Sequence, residues 1–347
     1  MRIVVMGTGP FAVPSAEKIR ELSHEIALVV TKPLVESAGK RPSAPMLDWA
    51  IDHQLPLFQP ASINAPDSLQ RLRAADAELF FVCDYGQILS HECLACSGMG
   101  GINLHGSLLP KHRGAAPVQW SLLAGDRETG VSVIHMTPKL DGGPILATAT
   151  TPILPDENAA QLEARLAQLG VQATCQAIQI LQSWDGVSGI GVPQHAALIT
   201  KAPRFSKSDG QLDFRLPADV LARLVRALQP WPGTFADLKM GNAKPIRLLI
   251  RAARDLDCDL KSISHDIGSV WATSAKQLHL DWPEAGQRLL AVQCSGSLLL
   301  VNRLQPAGKR EMSADEFLRG HGASENQSFV LSETPSRFAQ LFGIHSV

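Results

Sequence analysis

Apolar and polar residues alternate along the first 190 or so positions in a regular way. Short apolar runs at 3–6, 26–30, 79–83, 101–103 and 131–135 are β-rich and bounded by turn formers. Between them, residues 14–22, 44–53, 68–75, 115–124 and 160–184 place apolar side chains at helical spacing. Strands alternating with helices predict βαβ units, hence an α/β domain with a doubly wound, mainly parallel sheet. Such sheets collect their chemistry outside the carboxyl ends of the strands.

The pattern changes near residue 185, where Asp185-Gly186-Val187-Ser188-Gly189-Ile190-Gly191-Val192-Pro193 carries no period. The first domain is therefore expected over 1–190, with a linker over 191–207. A helix is predicted over 217–228, since Leu221, Leu224, Val225 and Leu228 share one face. After the turn Pro230-Trp231-Pro232-Gly233, short β-rich runs recur at 246–250, 268–272, 288–292 and 298–304. These predict a smaller β-barrel or sandwich over 208–322, leaving 323–347 as a polar tail.

Composition narrows the class. The 347 residues are 45% hydrophobic and 19% charged, which suits a globular chain with a sizeable core. Thirty-two Lys and Arg balance 33 Asp and Glu, so bulk charge does not mark a nucleic-acid-coating protein. No apolar run reaches the ~20 residues of a membrane span, and the N-terminus reads as a strand, not a signal peptide. Six Cys are too sparse for a disulfide scaffold. Cys93 and Cys96 form a C-x-x-C without a second pair, so ordinary thiols in a reducing cytosol are expected, with no metal site.

Gly7-Thr8-Gly9-Pro10-Phe11-Ala12 follows the first strand and nominally matches a dinucleotide fingerprint. Pro10 removes a backbone donor, and the second strand ends in Val30-Thr31-Lys32 without an acidic residue for a ribose. A tight strand-to-helix turn lining a cleft is the better reading.

The richest stretch is Asn103-Leu104-His105-Gly106-Ser107-Leu108-Leu109-Pro110, followed by Arg113-Gly114-Ala115-Ala116-Pro117. Asn103 and His105, two apart at the end of a strand, leave the same face. Asp141, set in Leu140-Asp141-Gly142-Gly143-Pro144, is expected over the same cleft. No Ser or Cys stands in a nucleophile context. The trio suits direct attack of an amine on a carbonyl: Asn and protonated His donate to the oxyanion, and the carboxylate holds His charged and takes the amine's proton. In the second domain Lys244, Arg247, Arg251 and Arg254 cluster, and two readings stand, a solvated strand face or a footprint for a phosphate backbone.

These motifs resemble those of the folate-dependent formyltransferases, and among them the enzymes that act on methionyl initiator tRNA. Phe58-Gln59-Pro60, Tyr85-Gly86-Gln87-Ile88-Leu89, Pro230-Trp231-Pro232-Gly233-Thr234 and Leu304-Gln305-Pro306-Ala307-Gly308-Lys309 extend the likeness over roughly residues 1–320. The resemblance implies a Rossmann-like catalytic domain joined to an OB-type barrel; a cytoplasmic chain is expected from its thiols, and a monomer is the expectation for its assembly. It implies transfer of a formyl group from 10-formyltetrahydrofolate to the α-amino group of methionyl initiator tRNA. Asn103, His105 and Asp141 would be catalytic. Ser107, Leu108, Leu109 and Pro110 would lie along the folate, with Gly86, Gln87, Ile88 and Leu89 at the pterin. Lys40 and Arg41, in a 32–46 loop that is shorter and less basic than usual, would contact tRNA with Lys244, Arg247 and Arg251. Asp84 stands where the family carries a small apolar residue; it reads either as facing the pterin's donor-rich edge or as solvated.

Overall fold

The computed structural model describes residues 1–34, 43–256, 265–278, 287–321 and 327–342. They divide into two compact units: residues 1–121, 126–154 and 161–204 form the first, and residues 122–125, 155–160 and 205 onward the second.

The first unit is built on a seven-stranded sheet. In chain order its strands and helices begin with β1 (Arg2–Gly7), α1 (Val13–Glu21), β2 (Glu25–Val30), α2 (Pro45–Asp52) and β3 (Leu57–Phe58). There follow α3 (Pro66–Ala74), β4 (Leu79–Cys83), α4 (His91–Leu94), β5 (Gly101–His105), β6 (Arg113–Gly114) and α5 (Pro117–Ala124). The series closes with β7 (Glu128–His135), β8 (Ile145–Pro152), α6 (Ala159–Gln182) and β9 (Lys201–Ala202). Sheet order is β3-β2-β1-β4-β5-β7-β8; the first five strands are parallel, whereas β5–β7 and β7–β8 are antiparallel. The fold is thus the expected mainly parallel, Rossmann-like sheet, with an antiparallel edge.

Alternation within buried strands decides what each face packs on. Val4 and Met6 of β1, Leu28 and Val30 of β2, and Phe80 and Val82 of β4 join Ile63, Leu72 and Leu94 in one core cluster. On the other face α6 approaches so closely that a Cβ at Gly170 would lie 2.7 Å from a Leu104 methyl. Cys93 and Cys96 belong to the first cluster, and burial pushes the Cys93 thiol up to about 12. Among the described residues no group of His, Cys, Asp and Glu is placed to hold a metal, and no helix is long and apolar enough to cross a membrane.

The 191–207 segment departs from its reading as a linker. Val192 bridges Ile145 through paired backbone hydrogen bonds of 2.8 Å, and β9 pairs in parallel with β6. Residues up to Arg204 are therefore part of the first unit, held by backbone bonds that a composition pattern cannot signal.

The second unit carries α7 (Ala218–Ala227), whose Leu221, Leu224 and Val225 are buried as their spacing predicts. Then come β10 (Thr234–Met240), β11 (Ile246–Leu256), β12 (Ser269–Ser274), β13 (Arg288–Cys294), β14 (Ser297–Pro306) and β15 (Met312–Ser313). The remaining elements are α8 (Ala314–His321), β16 (Gln327–Phe329) and α9 (Arg337–Leu341). Antiparallel pairing runs β11-β10-β16-β12-β13-β14 and closes from β14 back to β11, giving a six-stranded barrel with β15 at its margin.

The polar-tail reading of 323–347 therefore fails for 327–342. β16 sits between β10 and β12 and completes the ring, with Gln327 and Phe329 inward and Phe329 stacked on Phe214 at 4.8 Å. Arg215 pairs with the buried Asp213, which also accepts the Ser336 N–H at 3.0 Å and so ties down the chain beyond β16. Phe329→Ala is expected to destabilise this unit by about 3 kcal/mol in urea denaturation. Ser328→Ala, on the opposite face, is expected to change it by less than about 0.5 kcal/mol.

Candidate active site

A cavity of about 560 Å³ opens in the first unit, within the usual range for a small-molecule site. Asn103 and His105 of β5 both line it, as their two-residue spacing requires. Opposite them lies the loop from Met136 to Asp141. The antiparallel course of β7 makes this loop necessary. Met136 leaves the sheet beside Gly101, at the base of β5, with its N–H on the Gly101 carbonyl at 2.7 Å. Asp141 nevertheless ends near the top of β5, its Oδ1 3.8 Å from His105 Nδ1. The loop doubles back along the strand to bring them together.

Three contacts hold that course. The Gly114 N–H donates to Asp141 Oδ2 at 2.8 Å. The Gln194 amide donates to the Asp141 and Gly143 carbonyls at 2.8 and 2.7 Å, and its oxygen accepts from Arg113 Nε at 3.0 Å. Asp141 itself sits at φ 47°, a left-handed conformation uncommon for a residue with a side chain. Gly114, at φ 131°, has no freedom to be anything else: a Cβ there would lie 2.5 Å from the Ala202 carbonyl oxygen.

His105 is nine-tenths buried, and its Nε2–H donates to the His112 carbonyl at 2.9 Å. A carbonyl can only accept, so Nε2 carries a proton and Nδ1 is the nitrogen that faces Asp141. At 3.8 Å the two are within ion-pair reach but beyond a direct hydrogen bond.

Gly86, Gln87, Ile88 and Leu89 form another wall. Their loop is braced from behind: the Ile63 N–H donates to Gln87 Oε1 at 2.9 Å, and Asn64 bonds both the Ile88 carbonyl and the Ser90 N–H. Gln87 thus spends its side chain on the loop, leaving backbone toward the cavity. Ser107, Leu108, Leu109 and Pro110 are not among the lining residues. Ser107 is buried with its hydroxyl on the Lys111 carbonyl at 2.7 Å, and the Leu109 N–H donates to Ser132 Oγ at 3.0 Å. They shape the loop beyond β5.

Further charged groups line the cavity, and of these Glu163 and Arg204 carry no signal in the sequence. Asp84, at φ 50°, opens onto the cavity beside the Gly9 backbone, and Glu163 of α6 and Arg204 line the same space. Protein around the Asp84 carboxyl strips water from it and pushes its pKa up, against the pull of Lys32, the Gly9 N–H and Arg204. Burial likewise raises Glu163, and the negative charge of Asp84 raises it further. Asp84 is therefore a cavity group, not a solvated one. Phe11 places the glycine-rich turn after β1 on the cavity too.

Of the basic residues expected at tRNA, Lys40 and Arg41 lie outside the described residues. Lys244 is exposed before β11. Arg247 is engaged by Asp237 through two bonds of 2.9 Å and lies over the Phe235 ring at 4.3 Å. Arg251 bonds Gln305 and Gln229, and Arg254 pairs with Asp156.

Because Asp84 and Glu163 bind a proton more tightly folded than unfolded, their contribution to stability is full below the ordinary carboxylate value of about 4. It is lost as pH rises through their raised values. Glu163→Gln cannot ionise. Its melting temperature relative to the unaltered chain is expected to rise between about pH 4 and about pH 7 in thermal melts, whereas a pH-independent difference would contradict the assignment.

Comparison with known proteins identifies the family. The family model described as formyl transferase matches residues 1–178, and that of the formyl transferase C-terminal domain matches residues 204–322. The methionyl-tRNA formyltransferase of Rhodopirellula baltica is 46% identical over 95% of this chain and 97% of that protein. That of Symbiobacterium thermophilum is 32% identical over 97% and 98%. Among solved structures, an N-formyltransferase from Helicobacter canadensis, in complex with folinic acid and dTDP-3-aminofucose, aligns with a TM-score of 0.59 at 16% identity, covering 88% of this chain and 99% of that one. HypX from Aquifex aeolicus, in complex with tetrahydrofolic acid, aligns with a TM-score of 0.58 at 14% identity over 94% of this chain and 48% of its own; these two likenesses speak for the fold alone. With both domain models matched and full-length relatives above 30% identity, the chain belongs to the formyl transferase family.

Proposed function

We propose that this chain transfers the formyl group of 10-formyltetrahydrofolate to the α-amino group of methionyl initiator tRNA, as a cytoplasmic, monomeric enzyme of translation initiation. The observation that carries the chemistry is the convergence of Asn103, His105 and Asp141 on one cavity, with His105 Nδ1 facing the carboxylate. The acceptor is supported by full-length relatives named methionyl-tRNA formyltransferase, at up to 46% identity.

The cavity fits a folate head in size and in chemistry. Its 84–89 wall offers backbone groups, Gly86 bringing the chain close at φ 74°, while Phe11, Ile134 and Met136 supply apolar surface. Bound there, 10-formyltetrahydrofolate supplies the one-carbon unit at its N10. Asn103 and protonated His105 then donate to the formyl oxygen, where negative charge gathers as the amine nitrogen adds to the carbon. Each such donor is worth roughly 10²–10³ in rate. Asp141 steadies the imidazolium and accepts the proton the amine sheds, directly or through water. A new carbon–nitrogen bond forms, the bond to N10 breaks, and that nitrogen is reprotonated. Lys244, Arg247 and Arg251, together with Lys40 and Arg41, are assigned to the tRNA backbone.

Incubation with 10-formyltetrahydrofolate and charged initiator tRNA is expected to yield formylmethionine, and a small-amine control to yield none. Asn103→Ala and His105→Ala are each expected to lower kcat by about 10²–10³ with little change in KM, since their interactions strengthen only in the transition state. A fully active His105→Ala would end the mechanism. Apparent tRNA affinity is expected to fall with salt, and the slope to flatten by about two in Lys244→Ala/Arg251→Ala as two phosphate contacts are lost; an unchanged slope would remove both residues from the interface.

A further inference from the structure

The carbonyl that orients His105 belongs to a residue in an unusual conformation. His112 has φ 59°, a left-handed backbone that is unfavourable for a residue with a side chain and persists only where its surroundings enforce it. Two contacts do so. The His112 N–H donates to Thr200 Oγ1 at 2.8 Å. Its ring, almost fully buried, meets Asp126 Oδ2 through Nε2 at 2.7 Å, while Lys111 Nζ reaches Asp126 Oδ1 at 3.2 Å. Burial opposes ionisation of Asp126, but the hydrogen bond and charge of His112, with Lys111 behind them, hold its carboxyl below the ordinary value. A carboxylate there can only accept, so His112 is the donor.

None of Asp126, His112 and Thr200 lines the cavity. Asp126 and the His112 ring reach the chemistry through the His112 carbonyl, whereas the Thr200 carbonyl also accepts the Arg113 N–H at 2.9 Å, beside the Gly114 that bonds Asp141. If that carbonyl moves away, the neutral imidazole of His105 is free to keep its proton on Nδ1, or to turn its ring. Either way Nδ1 is no longer the site where a proton is gained and lost in front of Asp141.

We infer that Asp126 and Thr200 are positioning residues of the reaction: acting through His112, they lock its carbonyl against His105 Nε2–H and so fix the tautomer and aim of the catalytic ring. The device deepens the proposed function and rests on it for its catalytic consequence. The ring geometry itself is measurable without any substrate.

The test uses the full chain with histidine labelled by ¹⁵N in the ring, read by long-range ¹H–¹⁵N spectra alongside steady-state kinetics. In the unaltered chain His105, when neutral, is expected as the single Nε2–H tautomer. In Asp126→Ala it is expected as a tautomer mixture, with kcat lower by about 10- to 100-fold, the scale of a small misplacement of reacting groups. KM for both substrates is expected to stay within about twofold. Asp126→Asn, which keeps an acceptor for the His112 ring, is expected to recover most of kcat. His112→Gly permits the left-handed backbone but has no ring to tether. It is expected to behave as Asp126→Ala does, and it keeps the test open should that variant fail to fold. A single Nε2–H tautomer retained in both variants would overturn the inference, whatever happens to the rate. So would a loss of rate shared between kcat and KM with the tautomer intact. An unaltered chain that gave the expected tautomer but no formyl transfer would sink the proposed function and leave the ring geometry standing.

Discussion

The structure turns on one separation, the 3.8 Å between His105 Nδ1 and Asp141 Oδ1. His105 ends β5, whereas Asp141 lies in the loop after the antiparallel β7, which leaves the sheet at the wrong end of β5 to deliver a carboxylate to His105 directly. The gap is closed by a loop that reverses along the strand, and that reversal depends on bonds from Gly114 and Gln194. Gln194 and the β9 strand that packs on Gly114 both come from a stretch of irregular chain after α6. Much of the first unit's C-terminal segment thus serves to place one side chain.

The cavity is electrically mixed. Asp84 and Glu163 hold protons more tightly than isolated carboxyls because protein shields them from water, with Lys32 and Arg204 nearby to moderate Asp84. Like-charged groups of this kind are costly to bury unless something offsets them. Asp84 is compensated in part by the Gly9 backbone, which accounts for Gly9 in a chain that has no dinucleotide acid on β2: Gly9 lies against Asp84 so closely that a Cβ would overlap its carboxylate.

Sequence patterns revealed what periodicity and residue chemistry encode. The continuous apolar run of β1 and the helical face of α7 were legible because burial on both sides, or on one stripe, leaves a period. Asn103 and His105 were legible as a pair because side chains two apart on a strand share a face. Asp141 lies over the cleft even though β7 is antiparallel, and strand direction leaves no trace in composition. Gln194 was hidden in residues that resemble a linker, since side chain to backbone bonds over 50 positions have no local signature. β16 was hidden for another reason. Three residues, Gln327, Ser328 and Phe329, are too few and too polar to announce a strand, yet the barrel closes through them.

The coupling of His105 to Asp141 is measured most directly by a double-mutant cycle on single-turnover formyl transfer, using His105→Ala, Asp141→Ala and the double variant. If the carboxylate works by holding the imidazolium in place, the double variant is no slower than the slower single one, because removing either partner already abolishes the joint effect. If the two losses instead multiply, the residues act independently and the pair at 3.8 Å is not the centre of the chemistry.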